Sequence, residues 1–425
     1  MPLFSERIEG WSPIPDTFVS FFAASPNSFW LDREHHHDSR YSIIGSGLYS
    51  EQMPASEPDS SQGQLPFSFR PGFVGVINYA LPEAARLEVS GIDVDRAFVY
   101  DHDNRAMFFL GNFADEAAFK QWFHAALLRL ALVGGDAASY QMTHDPASAA
   151  SFTALDSKSD YLAKIETAKD HIAKGDIYQL CLTTELQADY VGDPLALFLR
   201  LRRAHPAPYC TFLKTEQATY VSISPERFIS VRGSRVTSSP IKGTRPRSND
   251  PAQDLELQQR LGSDEKERAE NLMIVDLIRN DLSSICESGS VNVESLLAIR
   301  SYSTVHQLVS DVSGELVESK NGFDALRALF PGGSMTGAPK ISACAILEQL
   351  EKRERGAYAG AIGWISGTGD MDLGMVIRTA IFEASRVKIA VGGGITSGSH
   401  PATEHAEVQL KAMALVEAMG AEVSW

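Results

Sequence analysis

A chain of 425 residues, 44% of them hydrophobic, can bury a large core, which excludes a disordered or fibrous protein. Its formal charge of −16, from 54 acidic against 38 basic residues, repels nucleic acid and anionic membrane, so an anionic ligand has to be gripped by local groups. The start lacks a basic segment leading into an apolar core, and no uncharged apolar run nears the ~20 residues of a spanning helix, so the expectation is a cytoplasmic protein with no membrane partner.

Residues 1–132 mix strand-like runs, such as Phe73 to Ile77 and Ala97 to Tyr100, with a helical period from Glu116 to Leu132. They read as the N-terminal portion of an α+β fold, with a loop expected from Ser50 to Pro66. In Glu34-His35-His36-His37-Asp38, consecutive residues cannot easily converge on one ion, so no metal site is expected there. Residues 133–154 are rich in Gly, Ala, Ser, Asp and Pro without a sustained period and read as a linker. Residues 155–420 form a second portion. It opens with Tyr161, Ile165, Ala168 and Ile172 at helical spacing, behind a cap at Ser159 or Asp160 and ended by Gly175. Strands are expected at Tyr220 to Ile223, Phe228 to Val231, Met375 to Glu383 and Val387 to Val391. Helices are expected at Asp264 to Leu282, Gly322 to Leu329, Ile341 to Lys352 and Thr403 to Met419. Cys181, Cys210, Cys286 and Cys344 lack CxxC spacing and read as buried free thiols.

Glu267 and Glu270 stand three apart, hence on one helix face, and Glu404 and Glu407 repeat the spacing with Lys411 one turn further on. Such pairs are either solvated charges or two halves of a site for a hard cation such as Mg²⁺, which prefers carboxylate oxygen. The glycines of Gly332-Gly333 through Lys340 and of Gly392-Gly393-Gly394 lack the spacing of nucleotide loops, yet they permit backbone N–H groups to approach a small anion. Lys242, in Ser239-Pro240-Ile241-Lys242-Gly243-Thr244, follows a strand-like run where its side chain can enter a cleft.

Taken together, Pro240 to Thr244, Lys266 to Asn271 with the following Leu-Met-Ile-Val-Asp-Leu-Ile-Arg-Asn-Asp, Gly333 to Lys340, Val376 to Ala380 and the last glutamate pair resemble the chorismate-utilising enzymes. The motifs occur in family order from about residue 155 to 418, while residues 1–130 match only loosely. The resemblance implies an α+β fold of two large antiparallel sheets around the active site, with helices outside and both portions in one unit. It also implies Mg²⁺ held directly by Glu270 and Glu407, and through water by Glu267 and Glu404, gripping one carboxylate of chorismate. Arg378 and Tyr358 would bind the other carboxylate, helped by Gly393, Gly394 and Lys411. Gly243, Thr244, Thr336 and His306 would line the ring, with His306 among the catalytic groups.

Within the family, lysine after Pro-Ile is typical of the members that aminate chorismate at C4, and alanine of the anthranilate synthases; here it is Lys242. The implied chemistry has a neutral Lys242 amine attack ring C2 while Glu226, as the acid, protonates the departing 4-hydroxyl, after which ammonia displaces the lysine. Gln179 stands where water-adding relatives carry a base lysine, which favours ammonia as nucleophile. A separate glutamine amidotransferase subunit is the expected ammonia source, since no Gly-x-Cys-x-Gly nucleophile context is visible. The expected product is 4-amino-4-deoxychorismate, on the way to 4-aminobenzoate and folate. Anthranilate synthase component I is the alternative, although its Leu-Leu-Glu-Ser signature is not seen near Ser28 to Asp32. A regulatory chorismate-binding subunit is the non-enzyme alternative.

Overall fold

The computed structural model describes residues 1–35, 39–55, 65–82, 86–144 and 151–425. Part of the expected 50–66 loop and residues 36–38 of the histidine-rich stretch therefore lie outside the described residues.

Strands form where β-branched and aromatic residues run together. One series of antiparallel neighbours passes from Gln179–Asp189 through Arg386–Ile395, Thr379–Glu383, Thr219–Ser224 and Tyr209–Lys214 to Ser28–Asp32. A second passes from Phe73–Ile77 through Ala361–Ile365, Met371–Met375, Arg227–Arg232 and Arg235–Ser239 to Val305–Glu315. The last of these also pairs with Ile241–Pro246 and Asn292–Ser301. Tyr41–Ser50 and Val89–Asp101 pair with each other and join the two series, the first through Ser28–Asp32 and the second through Phe73–Ile77. The α+β architecture expected from the resemblance is present, its two sheets continuous through these strands.

The portions on either side of residue 133 are not separate bodies. Phe98, Phe109 and Phe119 share one buried cluster with Leu180, Val391 and Val408. Each such aromatic side chain contributes about 2 kcal/mol when it leaves water, so the halves stabilise each other. Within the expected linker, Asp136–Thr143 form a helix and Ser151–Ala154 a strand that pairs with Glu422–Ser424. Small, polar residues hid both elements because little of either is buried.

The expected helices are observed with small shifts of their ends. Lys158–Lys174 is capped by Ser157, whose side chain accepts from the Asp160 N–H, two or three residues before the caps expected, and Gly175 ends it in the left-handed conformation. Glu265–Ser283 is capped by Asp264, and Pro401–Ala418 starts with proline at its first position. All four cysteines are free and buried. No helix among the described residues is long and apolar enough to cross a membrane.

Candidate active site

A cavity of about 690 Å³ opens between the Ile241–Pro246 strand, the Arg386–Ile395 strand and the first turns of the Glu265–Ser283 and Pro401–Ala418 helices. That volume suits a small organic molecule. A smaller cavity of about 330 Å³ elsewhere is lined by Arg33 and Asp372, which pair with each other at 3.5 Å. The larger cavity gathers far more charge, with Glu226, Glu267, Glu270, Glu404 and Glu407 facing Lys242, Arg245, Lys266, Arg378 and Lys411.

Lys242 enters the cavity because its strand is irregular. The pairing of Ile241–Pro246 with Val305–Glu315 shifts register between Ile241 and Thr244, and such a bulge re-aims a side chain. Gly243 makes the shift possible with φ +92, a conformation that favours glycine, and a Cβ there would meet Leu261 Cδ1 at 2.9 Å. Opposite stands Gly394, where a Cβ would approach Lys242 Nζ to 3.3 Å and Glu270 Oε2 to 3.4 Å. Glycine at this point lets the amine and the carboxylate reach the same small volume.

Burial lowers the affinity of the Lys242 amine for its proton, but the charges of Glu270, Cys181, Glu226 and Glu267 outweigh burial and hold its pKa above the ordinary lysine value. The expected neutral amine is thus not its resting form. For Glu226, burial pushes the pKa up to about 7, against the opposing effects of Ser334, Lys242 and the Ile241 backbone. Its carboxylate accepts a 2.7 Å hydrogen bond from Ser334 Oγ, a residue not anticipated from the sequence.

Ser334→Ala is expected to raise the Glu226 pKa further, because the lost donor favours the ionised form. Glu226 has a folded pKa above its unfolded value, so its contribution to stability is complete below pH 4.5 and gone once pH rises through about 7. In the variant that contribution should persist to higher pH, with a loss of about 1–2 kcal/mol at pH 8. Denaturant melts between pH 4 and 9 test this, and superimposable pH profiles would exclude the role for Ser334.

The four acidic residues of the cation reading line one cavity, although no three of them are gathered closely enough to hold an ion. Glu267 and Glu270 lie in the first two turns of one helix, Glu404 and Glu407 in those of another, and all four line the cavity. Helix N-termini favour carboxylates. Burial raises the pKa values of Glu267 and Glu270, while Glu407 lies below its ordinary range because Lys411, 2.8 Å away, outweighs burial. Lys411 Nζ also donates to the Gly392 carbonyl at 3.0 Å, so it borders the cavity already engaged.

Arg378, Tyr358, Gly393 and Thr244 line the same cavity. Arg378 is held at φ 48, a left-handed backbone that costs a non-glycine residue roughly 1 kcal/mol. Burial depresses its pKa, and it makes no ion pair among the described residues. A guanidinium kept in a cavity without a carboxylate partner is equipped to receive an anion.

Three residues anticipated from the sequence do not line the cavity. His306 is turned away, its ring nitrogens 2.7 Å from Ser301 Oγ and 3.0 Å from Asp254 Oδ1. Successive strand residues face opposite sides, so Gln307 lines the cavity instead, with Oε1 buried and without a hydrogen-bond partner among the described residues. Thr336 is fully buried, its hydroxyl donating to the Gly332 carbonyl at 3.2 Å. Gln179 is buried, its backbone opposite Ala338.

The family profile described as chorismate binding enzyme matches residues 30–417. The chain belongs to the chorismate binding enzyme family. Relatives of this family member include an aminodeoxychorismate synthase of Streptomyces griseus, 40% identical over 83% of this chain and 50% of that protein. Aminodeoxychorismate synthase component 1 of Escherichia coli K12 is 35% identical over 80% of this chain and 75% of its own length. The chain spans about half the length of the Streptomyces griseus relative. Among solved structures, anthranilate synthase component I from Streptococcus pneumoniae superposes with a TM-score of 0.76 at 28% identity, covering 89% of this chain and 92% of that one. Like them, this chorismate binding enzyme is built on a mixed α+β fold.

Proposed function

We propose that this enzyme aminates chorismate to 4-amino-4-deoxychorismate in the cytoplasm, using ammonia delivered by a glutamine amidotransferase partner. The observation that carries the reading is the pairing of Lys242 with a protonatable, buried Glu226 inside one cavity. The names of the Streptomyces griseus and Escherichia coli relatives agree with it.

In this mechanism Arg378 and Tyr358 receive the enolpyruvyl carboxylate. Lys242 attacks C2, the ring double bonds shift, and the C4–O bond breaks as Glu226 gives its proton to the oxygen, releasing water. Ammonia then forms the C4–N bond, the double bonds return, and the C2–N bond to Lys242 breaks with its electron pair staying on the amine. Ser334 holds Glu226 in place throughout.

The carboxylates fit Mg²⁺ in type, being all oxygen donors, and Glu270 Oε1 is buried without a hydrogen-bond partner among the described residues. As they stand, no three His, Cys, Asp or Glu side chains among the described residues are gathered closely enough to hold an ion. Lys266 reaches into the cluster, its Nζ 3.0 Å from Glu404 Oε1. Glu267, Glu270, Glu404 and Glu407 are nonetheless the residues that would hold Mg²⁺, whose charge would neutralise the substrate's ring carboxylate.

Incubation with chorismate, Mg²⁺ and ammonium, followed by a lyase that eliminates pyruvate, is expected to give 4-aminobenzoate. Fluorescent anthranilate in its place would assign the chain to anthranilate synthesis, and unconsumed chorismate would favour a binding subunit.

A further inference from the structure

The ammonium of Lys266 stands among the carboxylates rather than beside them. Its Nζ lies 3.0 Å from Glu404 Oε1 and 3.8 Å from Glu270 Oε1, one partner from each of the two helices. Those partners are almost closed off from solvent, with side-chain exposures of 3% for Glu404 and 8% for Glu270, whereas Lys266 is 46% exposed. Two buried anions thus share a cation that enters from the open side on a flexible stem. Glu270 and Glu404 need such a charge, since a buried carboxylate without a counter-ion is costly. The arrangement is also incomplete: the ammonium donates to Glu404, while Glu270 Oε1 is left with no hydrogen bond. Lysine suits a temporary occupant, because its compact charge has no fixed fork geometry and its stem can carry the head back to water.

We propose that Lys266 is a tethered counter-ion, occupying the acidic cluster when no divalent cation is bound and withdrawing to solvent when one enters, so that it sets the affinity of the cluster for the ion. The proposal rests on the reading that Glu267, Glu270, Glu404 and Glu407 hold Mg²⁺. It accounts for oxygen donors of the right kind that are not gathered closely enough to hold an ion: a monovalent cation already lies between two of them. Removing that cation leaves the cluster more negative, which favours a divalent ion and strains the ion-free protein.

Calorimetric titration of the full chain with Mg²⁺ alone, without substrate, tests this. Lys266→Gln is expected to bind Mg²⁺ about tenfold more tightly than the parent chain and to melt at a lower temperature without metal. Lys266→Arg, which keeps the charge, should stay close to the parent in both. A Lys266→Gln affinity equal to or weaker than the parent's would overturn the proposal. Glu270→Gln separates the two failures: if the parent binds Mg²⁺ and Glu270→Gln weakens it, the glutamate site stands whatever Lys266 does. If the parent binds none, the site and the counter-ion role fall together. A readout on the unmutated chain is acetylation of Lys266 by an amine reagent, followed by mass spectrometry. Saturating Mg²⁺ should increase it severalfold as the amine leaves Glu404, and unchanged labelling would also overturn the proposal.

Discussion

Replacing Lys242 by alanine is expected to lower chorismate amination by on the order of 10³-fold, with the residual product shifting toward anthranilate. The size follows from the role: without the amine, ammonia has to displace the 4-hydroxyl unaided, and Gly243 and Gly394 were arranged around a side chain no longer there. The substitution also leaves Glu226 without a nearby cation and Glu270 with Lys266 alone, so a melting curve has to accompany the rate. A folded variant with unaltered rate and product would make Lys242 a bystander.

Glu226→Gln is expected to cost 10²- to 10⁴-fold in kcat, the usual range for removing a general acid. Its pH profile distinguishes it from a packing defect. At rest the pair is an ammonium facing a carboxyl group with a pKa of about 7. The reactive pair, neutral amine and protonated acid, carries the same number of protons as the ion pair, so between the two pKa values its population does not change with pH. Activity of the parent enzyme should therefore rise up to about pH 7 and level off above it. In Glu226→Gln only the lysine proton remains to be lost, and the rate should keep rising beyond neutrality. The variant should also be spared the cost of ionising a buried carboxyl group, about 3 kcal/mol of stability at pH 8. A plateau at the same pH in both proteins would exclude Glu226 as the acid.

Much of the candidate site was legible because its residues repeat at helical spacing or sit beside glycine. Glu267 and Glu270, like Glu404 and Glu407, had to share a helix face wherever the helices packed. Side-chain direction at strand and loop positions was not legible. His306 and Gln307 differ by one residue, and only pairing of their strand with Ile241–Pro246 decides which faces the cavity. Likewise, which hydroxyl of Gly333 to Lys340 meets Glu226 depends on a short 3₁₀ turn that presents Ser334 and buries Thr336. Nor did the sequence bring Lys266 to Glu404, since that partner belongs to a helix far along the chain. Other elements were signalled but passed over: Asp193-Pro194 and Asp250-Pro251 each begin a helix with a cap and a proline at the first position.

The long reach between the two acidic helices bears on biosynthesis. Lys266 and Glu404 are 138 residues apart, and the strand carrying Lys242 emerges from the ribosome before either. At translation speeds of roughly 5–20 residues per second, the amine and its first two carboxylates wait on the order of ten seconds for the other half of their setting. During that interval the cavity that Lys242 enters lacks part of its wall, which closes only when the Pro401–Ala418 helix docks.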